Sequence, residues 1–146
     1  MRTIEKALAY ITHGNKLLVF RHVDDPASGI QVPGGTIQPG ENPRDAALRE
    51  AQEESGLDWF GEPELLGTAN FDQRVFGREE LHHRHFYHIR YEGPEVETWR
   101  HAEEDASDGT PGVIWFEFFW TELPNGVPEL VAGQGAFLEE LNRRSE

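Results

Sequence analysis

The chain has 146 residues, with 27 acidic side chains against 13 lysines and arginines and a formal net charge of −14. That length suits one domain around a single sizeable core, so residues 1–146 are expected to form one unit. The acidic balance argues against a nonspecific grip on a nucleic-acid polymer, which needs a basic stripe to displace counterions, but it admits a small phosphorylated nucleotide whose bound metal reverses the local sign.

The chain contains no cysteine, which rules out a disulfide framework or a thiolate metal site and fits a cytoplasmic setting. The opening residues lack the apolar core of a signal peptide, and no later stretch has the apolar length of a membrane helix, so no membrane partner is expected. Oligomeric state is left open by the sequence, a homodimer included.

In chain order, residues 4–12 and 16–22 flank the turn His13-Gly14-Asn15 and predict a hairpin. Leu17, Val19 and Arg21 share one face of the second strand, and Leu18, Phe20 and His22 share the other. Arg21 then leaves apolar surroundings, either as a snorkelling strand-end side chain or as a phosphate contact. Ile30-Gln31-Val32 predicts a short strand, and Pro33-Gly34-Gly35 a sharp turn where backbone groups could approach a metal or phosphate.

A helix is expected to follow, with Asn42 as N-cap, Pro43 in the first turn and Gly56 as a left-handed C-cap. At about 100° per residue, Glu50, Glu53 and Glu54 fall within roughly a 100° arc of it. Three acids near the negative end of the helix dipole repel one another, and Arg49, which can pair with Glu53 four residues on, is too few cations to neutralise them. A hard divalent cation with oxygen ligands is the natural remainder; the competing reading is a solvated acidic face.

Residues 64–72 and 81–91 predict a second hairpin around Gly77. His83 and His85 share a face of the latter strand, but with no cysteine or nearby acid to complete a tetrahedral set they read as surface or substrate-edge histidines. Residues 92–112 predict a long polar loop whose acids Glu103, Glu104, Asp105 and Asp108 are candidates for an additional metal ligand or base. Residues 113–120 predict an aromatic strand in which Glu117 sits beside Trp115 and Phe119, either as a base with a raised pKa or as a wet acid on an edge strand. Residues 134–144 predict a terminal amphipathic helix. Strands mixed with two helices imply an α/β fold, a sheet covered by helices on its faces.

Gly35, Glu41, Arg49, Glu50, Glu53, Glu54, Gly56 and Leu57 fall at the spacing GX5EX7REUXEEXGU, and the chain thereby resembles the Nudix hydrolases. One position departs, Ala51 standing where a larger aliphatic is usual. The resemblance implies an α/β/α sandwich with a mixed β-sheet and hydrolysis of a nucleoside triphosphate, dinucleotide or nucleotide sugar at its pyrophosphate linkage. It implies Mg2+ or Mn2+ held by Glu50, Glu53, Glu54 and a turn carbonyl near Gly34, with Gly35 and Arg21 beside the substrate and Glu41 as a supporting acid. Arg49 orients the glutamates in that picture, and Glu53 or Glu50 is the first choice of general base. Two alternatives are a non-hydrolytic nucleotide sensor and hydrolysis of capped or triphosphorylated RNA ends, the latter disfavoured by the charge. The family's substrate markers are absent from Gln73-Arg74-Val75, so the substrate is not named.

Overall fold

A computed structural model describes residues 1–103 and 112–145. Strands β1 (Arg2–His13) and β2 (Lys16–His22) form the expected hairpin, β3 spans Gly34–Thr36, and helix α1 spans Pro43–Ser55. They are followed by β4 (Glu64–Asp72), β5 (Glu80–Arg90), β6 (Trp99–Glu103), β7 (Ile114–Glu122) and helix α2 (Leu138–Arg144). The sheet order is β4-β5-β1-β2-β7-β6, with β3 set against β1 outside that path.

The sheet is mixed because β1 and β5 run parallel from Arg2 opposite Glu80 to Thr12 opposite Arg90, whereas the other pairs are antiparallel. The other edge of β1 is divided. Its last residues pair with the start of β2, Thr12 opposite Leu17, while Lys6, Ala7 and Leu8 pair with β3. β1 and β2 therefore part, and residues 31–36 wedge into the opening, with Gln31 bridging Phe20 on the β2 side. This split places the glycines at the mouth of the sheet.

Strand alternation sends Ala7, Ala9, Ile11, Leu18, Phe20 and Ile89 to one face, under Ala46, Ala47 and Ala51 of α1. Leu8, Tyr10, Leu17, Val19 and Phe86 go to the other, under Leu138 and Leu141 of α2. The three alanines are fully buried, so α1 approaches the sheet closely, and Ala51 fills its position without a larger aliphatic.

Three expectations are corrected. Gly34 does not turn; it opens β3, because Ala9 and Glu5 on β1 offer backbone partners to Pro33 and Ile37 on either side. The expected loop over residues 92–112 contains β6, which sparse apolar residues concealed: Trp99 stacks on Phe118 at 5.4 Å and makes the strand adhere to β7. β7 is thus an interior strand. The terminal helix starts at Leu138, not at residue 134, because the Tyr10 hydroxyl, buried in the core, donates to the Gln134 carbonyl and accepts from the Phe137 N–H. That anchor also sets Gln134, whose Oε1 accepts from the Val32 N–H just ahead of the glycines.

Candidate active site

Local chemistry fixes α1 at both ends. Asn42 Oδ1 accepts from the Arg44 N–H at 2.9 Å, Pro43 occupies the first turn, and Gly56, at φ 74°, donates its N–H to the Gln52 carbonyl. With the alanine stripe facing the sheet, Glu50 and Glu54 fall at its margin and are buried, while Glu53 turns outward with 57% of its side chain exposed. The three acids lie close together but are not equivalent.

Ala9 and Ile37 mark the hydrogen-bonded rungs of the β1–β3 ladder, so the polar groups of Gly34 and Thr36 point away from β1. Both are used by α1. The Gly34 N–H donates to Glu54 Oε1 at 2.7 Å, and the Thr36 carbonyl accepts from Arg49 Nη2 at 3.1 Å. The Gly34 carbonyl faces the same way as its N–H and, with Glu50 and Glu54, makes a set of oxygen donors that could hold a hard divalent cation. A Cβ at Gly35 would meet the Glu50 carboxylate, so any larger residue there would displace that side chain.

Arg49 is the hub of the cluster. Its Nε and Nη2 grip both oxygens of Glu41 at 2.8 and 3.0 Å, and its Nη1 reaches Glu50 at 2.8 Å and Glu53 at 3.3 Å. Glu41 Oε1 also accepts from the Gln38 N–H, so one carboxylate braces both the arginine and the loop before the helix. Donating to Glu41 raises the Arg49 pKa and keeps it charged, and the same hydrogen bonds lower that of Glu41.

One guanidinium shared by three acids leaves a deficit. Burial raises the pKa of Glu50, and Arg49 only partly opposes it. Glu54 is driven well above the usual carboxylate range by burial first and by the neighbouring Glu50 charge second, with the Gly34 N–H pulling the other way and Glu103 adding to the rise. The protein thus builds a pocket in which negative charge is concentrated and incompletely balanced.

Glu103, at the end of β6, lines a cavity of about 620 Å³ with Arg49, Glu50, Glu53, Glu54, Gly34 and Gly35. Glu104, Asp105 and Asp108 lie outside the described residues. Arg21 and Glu117, in contrast, are separate from the glutamates and line neither this cavity nor the next. They face each other across the β2–β7 ladder 3.4 Å apart, with the Arg21 guanidinium over Phe119 and Glu117 also 3.6 Å from Arg100. The odd-numbered residues of β2 face α2, and there Glu117 forms an ion pair with Arg21 within the sheet, although the buried Arg21 Nε makes no hydrogen bond among the described residues.

A second cavity, of about 630 Å³, meets the first at Gly34, Gly35, Glu54 and Arg78 and continues on the α2 side of the sheet. Its wall carries Lys6, Gln73, Phe76, Arg78, His82 and Arg84. Arg84 is buried over the Phe71 ring and donates to the Ala132 carbonyl, yet no carboxylate among the described residues pairs with it. Burial lowers the pKa of both Arg84 and Lys6. Sequence reading missed this cationic wall because its members come from β1, β5 and the turn at residues 73–78. It also missed the brace from β6, where His101 Nε2 lies 3.0 Å from the Glu53 carbonyl and Trp99 Nε1 donates to that of Ser55.

The NUDIX domain family model matches residues 3–132, which include both cavities' signature residues. The chain belongs to the Nudix family. It is 36% identical over 137 positions to an RNA pyrophosphohydrolase of Cereibacter sphaeroides, covering 83% of this chain and 76% of that one. Its fold is similar to that of a MutT protein from Methanosarcina mazei Go1, with a TM-score of 0.67 at 21% identity over 99% of this chain and 96% of the other. A MutT NUDIX hydrolase from Burkholderia pseudomallei aligns with a TM-score of 0.60 at 18% identity, covering 97% of this chain and 99% of that one. The expectation of an α/β Nudix fold is thereby met, and the chain is a Nudix pyrophosphohydrolase. No described helix is long and apolar enough to cross a membrane.

Proposed function

We propose that this Nudix enzyme hydrolyses the pyrophosphate linkage of a small nucleoside diphosphate derivative, a nucleoside triphosphate, dinucleotide or nucleotide sugar, with Mg2+ as its metal and Mn2+ as a substitute. The observation that carries the reading is the junction at Gly34, where an under-neutralised carboxylate pair opens directly onto a cationic cavity. Glu50, Glu53, Glu54 and the Gly34 carbonyl are the proposed ligands, an all-oxygen set whose buried and mutually repelling acids suit a hard divalent cation. Bound there, such a cation supplies neutralisation of pyrophosphate oxygens and orientation of the attacking water.

The remaining roles belong to the side chains. Lys6, Arg78 and Arg84 bind phosphate oxygens, Arg84 with most effect because it is buried and has no carboxylate partner among the described residues. Phe76, stacked 6.1 Å from Phe71 at the rim, offers a face to a nucleobase. Arg49 fixes the carboxylates through Glu41 and the Thr36 carbonyl. The proton of the attacking water passes to Glu53, the acid of the signature with most solvent access, or to Glu103 across the cavity. Arg21 and Glu117 have no part in this reading.

A second reading has support from the Cereibacter relative, whose name points to RNA: the same site would then act on a 5′-triphosphorylated RNA end. The cavity of about 630 Å³ is of the size that takes one drug-sized ligand, and a net charge of −14 gives little purchase on a trailing polymer, so the small nucleotide is favoured. A panel of nucleoside triphosphates, dinucleotide polyphosphates, nucleotide sugars and short 5′-triphosphorylated RNA, each with Mg2+, separates the two by kcat/KM. Small-nucleotide turnover at least about tenfold above RNA turnover is expected, a difference of about 1.4 kcal/mol in transition-state stabilisation. Preference for RNA would transfer the assignment to the second reading, and no metal-dependent turnover of any substrate would defeat both.

A further inference from the structure

A second cluster of ligating side chains lies away from the glutamates. On the parallel strands β1 and β5, Glu5 stands directly opposite His83, and His85 follows two residues on, so all three side chains leave the same face of the sheet. Glu5 Oε1 lies 2.9 Å from His83 Nδ1 and 2.9 Å from His85 Nε2, and the two imidazole rings are 4.7 Å apart. One ligand atom from each residue falls within a 4.8 Å group. The acid that the local sequence does not offer the histidines comes from a neighbouring strand 78 residues away.

We propose that Glu5, His83 and His85 form a binding site for a late first-row divalent cation, with Zn2+ the chief candidate. Two imidazole nitrogens and a carboxylate suit Zn2+, Ni2+ or Co2+, and they discriminate against Mg2+, which prefers oxygen ligands and retains its water. Metal–ligand bonds of about 2.0–2.2 Å set neighbouring donors roughly 3.3 Å apart in a tetrahedron, so each 2.9 Å Glu5–histidine separation needs to open by a few tenths of an ångström, while the two imidazole donors lie within 4.8 Å of each other. The cation takes the place of the hydrogens now directed at Glu5 Oε1. In a neutral ring the proton moves to the opposite nitrogen, and a protonated ring releases one.

Both histidines direct a ring nitrogen at the same Glu5 oxygen, so the carboxylate already gathers the two imidazoles around one point. Glu5 is about half exposed and His83 about a third, which leaves room for water to complete the shell. With three protein ligands the site is open, unlike the closed four-ligand sites of purely structural zinc. Glu5 also accepts the Ile37 N–H through its carbonyl, so a cation joining β1 to β5 there would brace the strand that holds the start of the signature loop.

The test is a titration of chelator-stripped protein with Zn2+ in excess Mg2+, followed by calorimetry, and with Co2+ followed by visible absorption. One equivalent of Zn2+ is expected, with a Co2+ spectrum indicating nitrogen ligation. His83→Ala, His85→Ala and Glu5→Gln should each weaken it by at least about 100-fold, the upper end of what losing even an outer partner of a metal ligand costs. Glu54→Gln, which removes a ligand of the proposed Mg2+ site, should leave it unchanged. Zn2+ should also raise the melting temperature of the wild type and not that of His85→Gln, and melting without Zn2+ verifies that each variant folds. Wild-type affinity retained in both histidine variants, loss in Glu54→Gln, or no saturable Zn2+ binding alongside Mg2+ would overturn the site. The titration reads binding alone, so it is independent of which nucleotide the enzyme hydrolyses.

Discussion

Glu117 on the sheet and the signature acids on and before α1 meet the same problem in different ways. Glu117 faces Arg21 across a ladder and has Arg100 beside it, two cations for one carboxylate. Among the described residues Glu41, Glu50 and Glu53 share Arg49 as their ion-pair partner, with Lys6 acting on Glu50 only through longer-range attraction, and Glu54, the most buried of the signature acids, has a backbone N–H from Gly34 in place of an arginine. Burying carboxylates without matching charge costs stability, and the raised pKa of Glu54 is the direct expression of that cost. An acid with its cation in place is structural, whereas an acid cluster left short of positive charge is prepared for a ligand that supplies it.

The largest effect that would sharpen this contrast comes from neutralising one of the deficient acids. Glu54→Gln, and equally Glu50→Gln, should reduce kcat by about 10²–10³, the loss typical of one preorganised electrostatic contact. In chelator the same variants should melt above the wild type at pH 8, since a buried repulsion has been removed. Turnover within tenfold of wild type, or a lowered melting temperature in chelator, would break the assignment. Next in size is Arg49→Lys, which keeps a charge but cannot grip both Glu41 oxygens and reach Thr36 and Glu50 at once. Loss of about 10–100-fold in Mg2+ affinity or turnover is expected with the fold preserved, measured by Mg2+ titration of activity.

The contrast also explains what could be read in advance. The helix bearing Glu50, Glu53 and Glu54 was legible because its cap, its terminal glycine and the Nudix spacing all act within residues 34–57. The surroundings were not, because they depend on pairing between distant strands. Which acid stands opposite Arg21 or next to His83 is decided by the register of β2 with β7 and of β1 with β5, and nothing local to either residue encodes it. Strand β6 escaped for the same reason: its adhesion rests on Trp99 meeting Phe118, a contact between strands and not a period within one. The cationic wall of Lys6, Arg78 and Arg84 exists only once β1, β5 and the turn after β4 are assembled.

pH offers a subtler probe of the charge deficit. A carboxyl whose folded pKa is raised binds its proton more tightly in the folded state. Its contribution to stability is therefore complete below the unfolded value, about 4.3, and is lost as pH rises through the folded one. Glu50 and Glu54 both follow this sign, so the chelated protein should lose stability as pH rises above the ordinary carboxylate value of about 4.3 and through their raised folded values. Buried His82 and His88 oppose it, because burial lowers their pKa and their contribution grows with pH up to about 6.5. The clean quantity is the difference in melting temperature between wild type and Glu54→Gln across that range. It should widen with pH in chelator and narrow on adding Mg2+; a difference independent of pH would show that Glu54 carries no unbalanced charge.

The smallest effect belongs to the balanced pair. Glu117→Gln leaves Arg21 over the Phe119 ring and leaves Arg100 in water, and it touches neither cavity. Partly exposed ion pairs contribute at most about 1 kcal/mol, so urea unfolding should register a loss below that, while kcat/KM for the best small-nucleotide substrate should stay within about twofold. The same conservative change, Glu to Gln, is thus expected to separate turnover from stability in opposite senses at the two places. A kcat loss at Glu117 comparable to that at Glu54 would mean that Arg21 acts on the substrate after all, and that local charge balance does not distinguish the working acids from the structural ones.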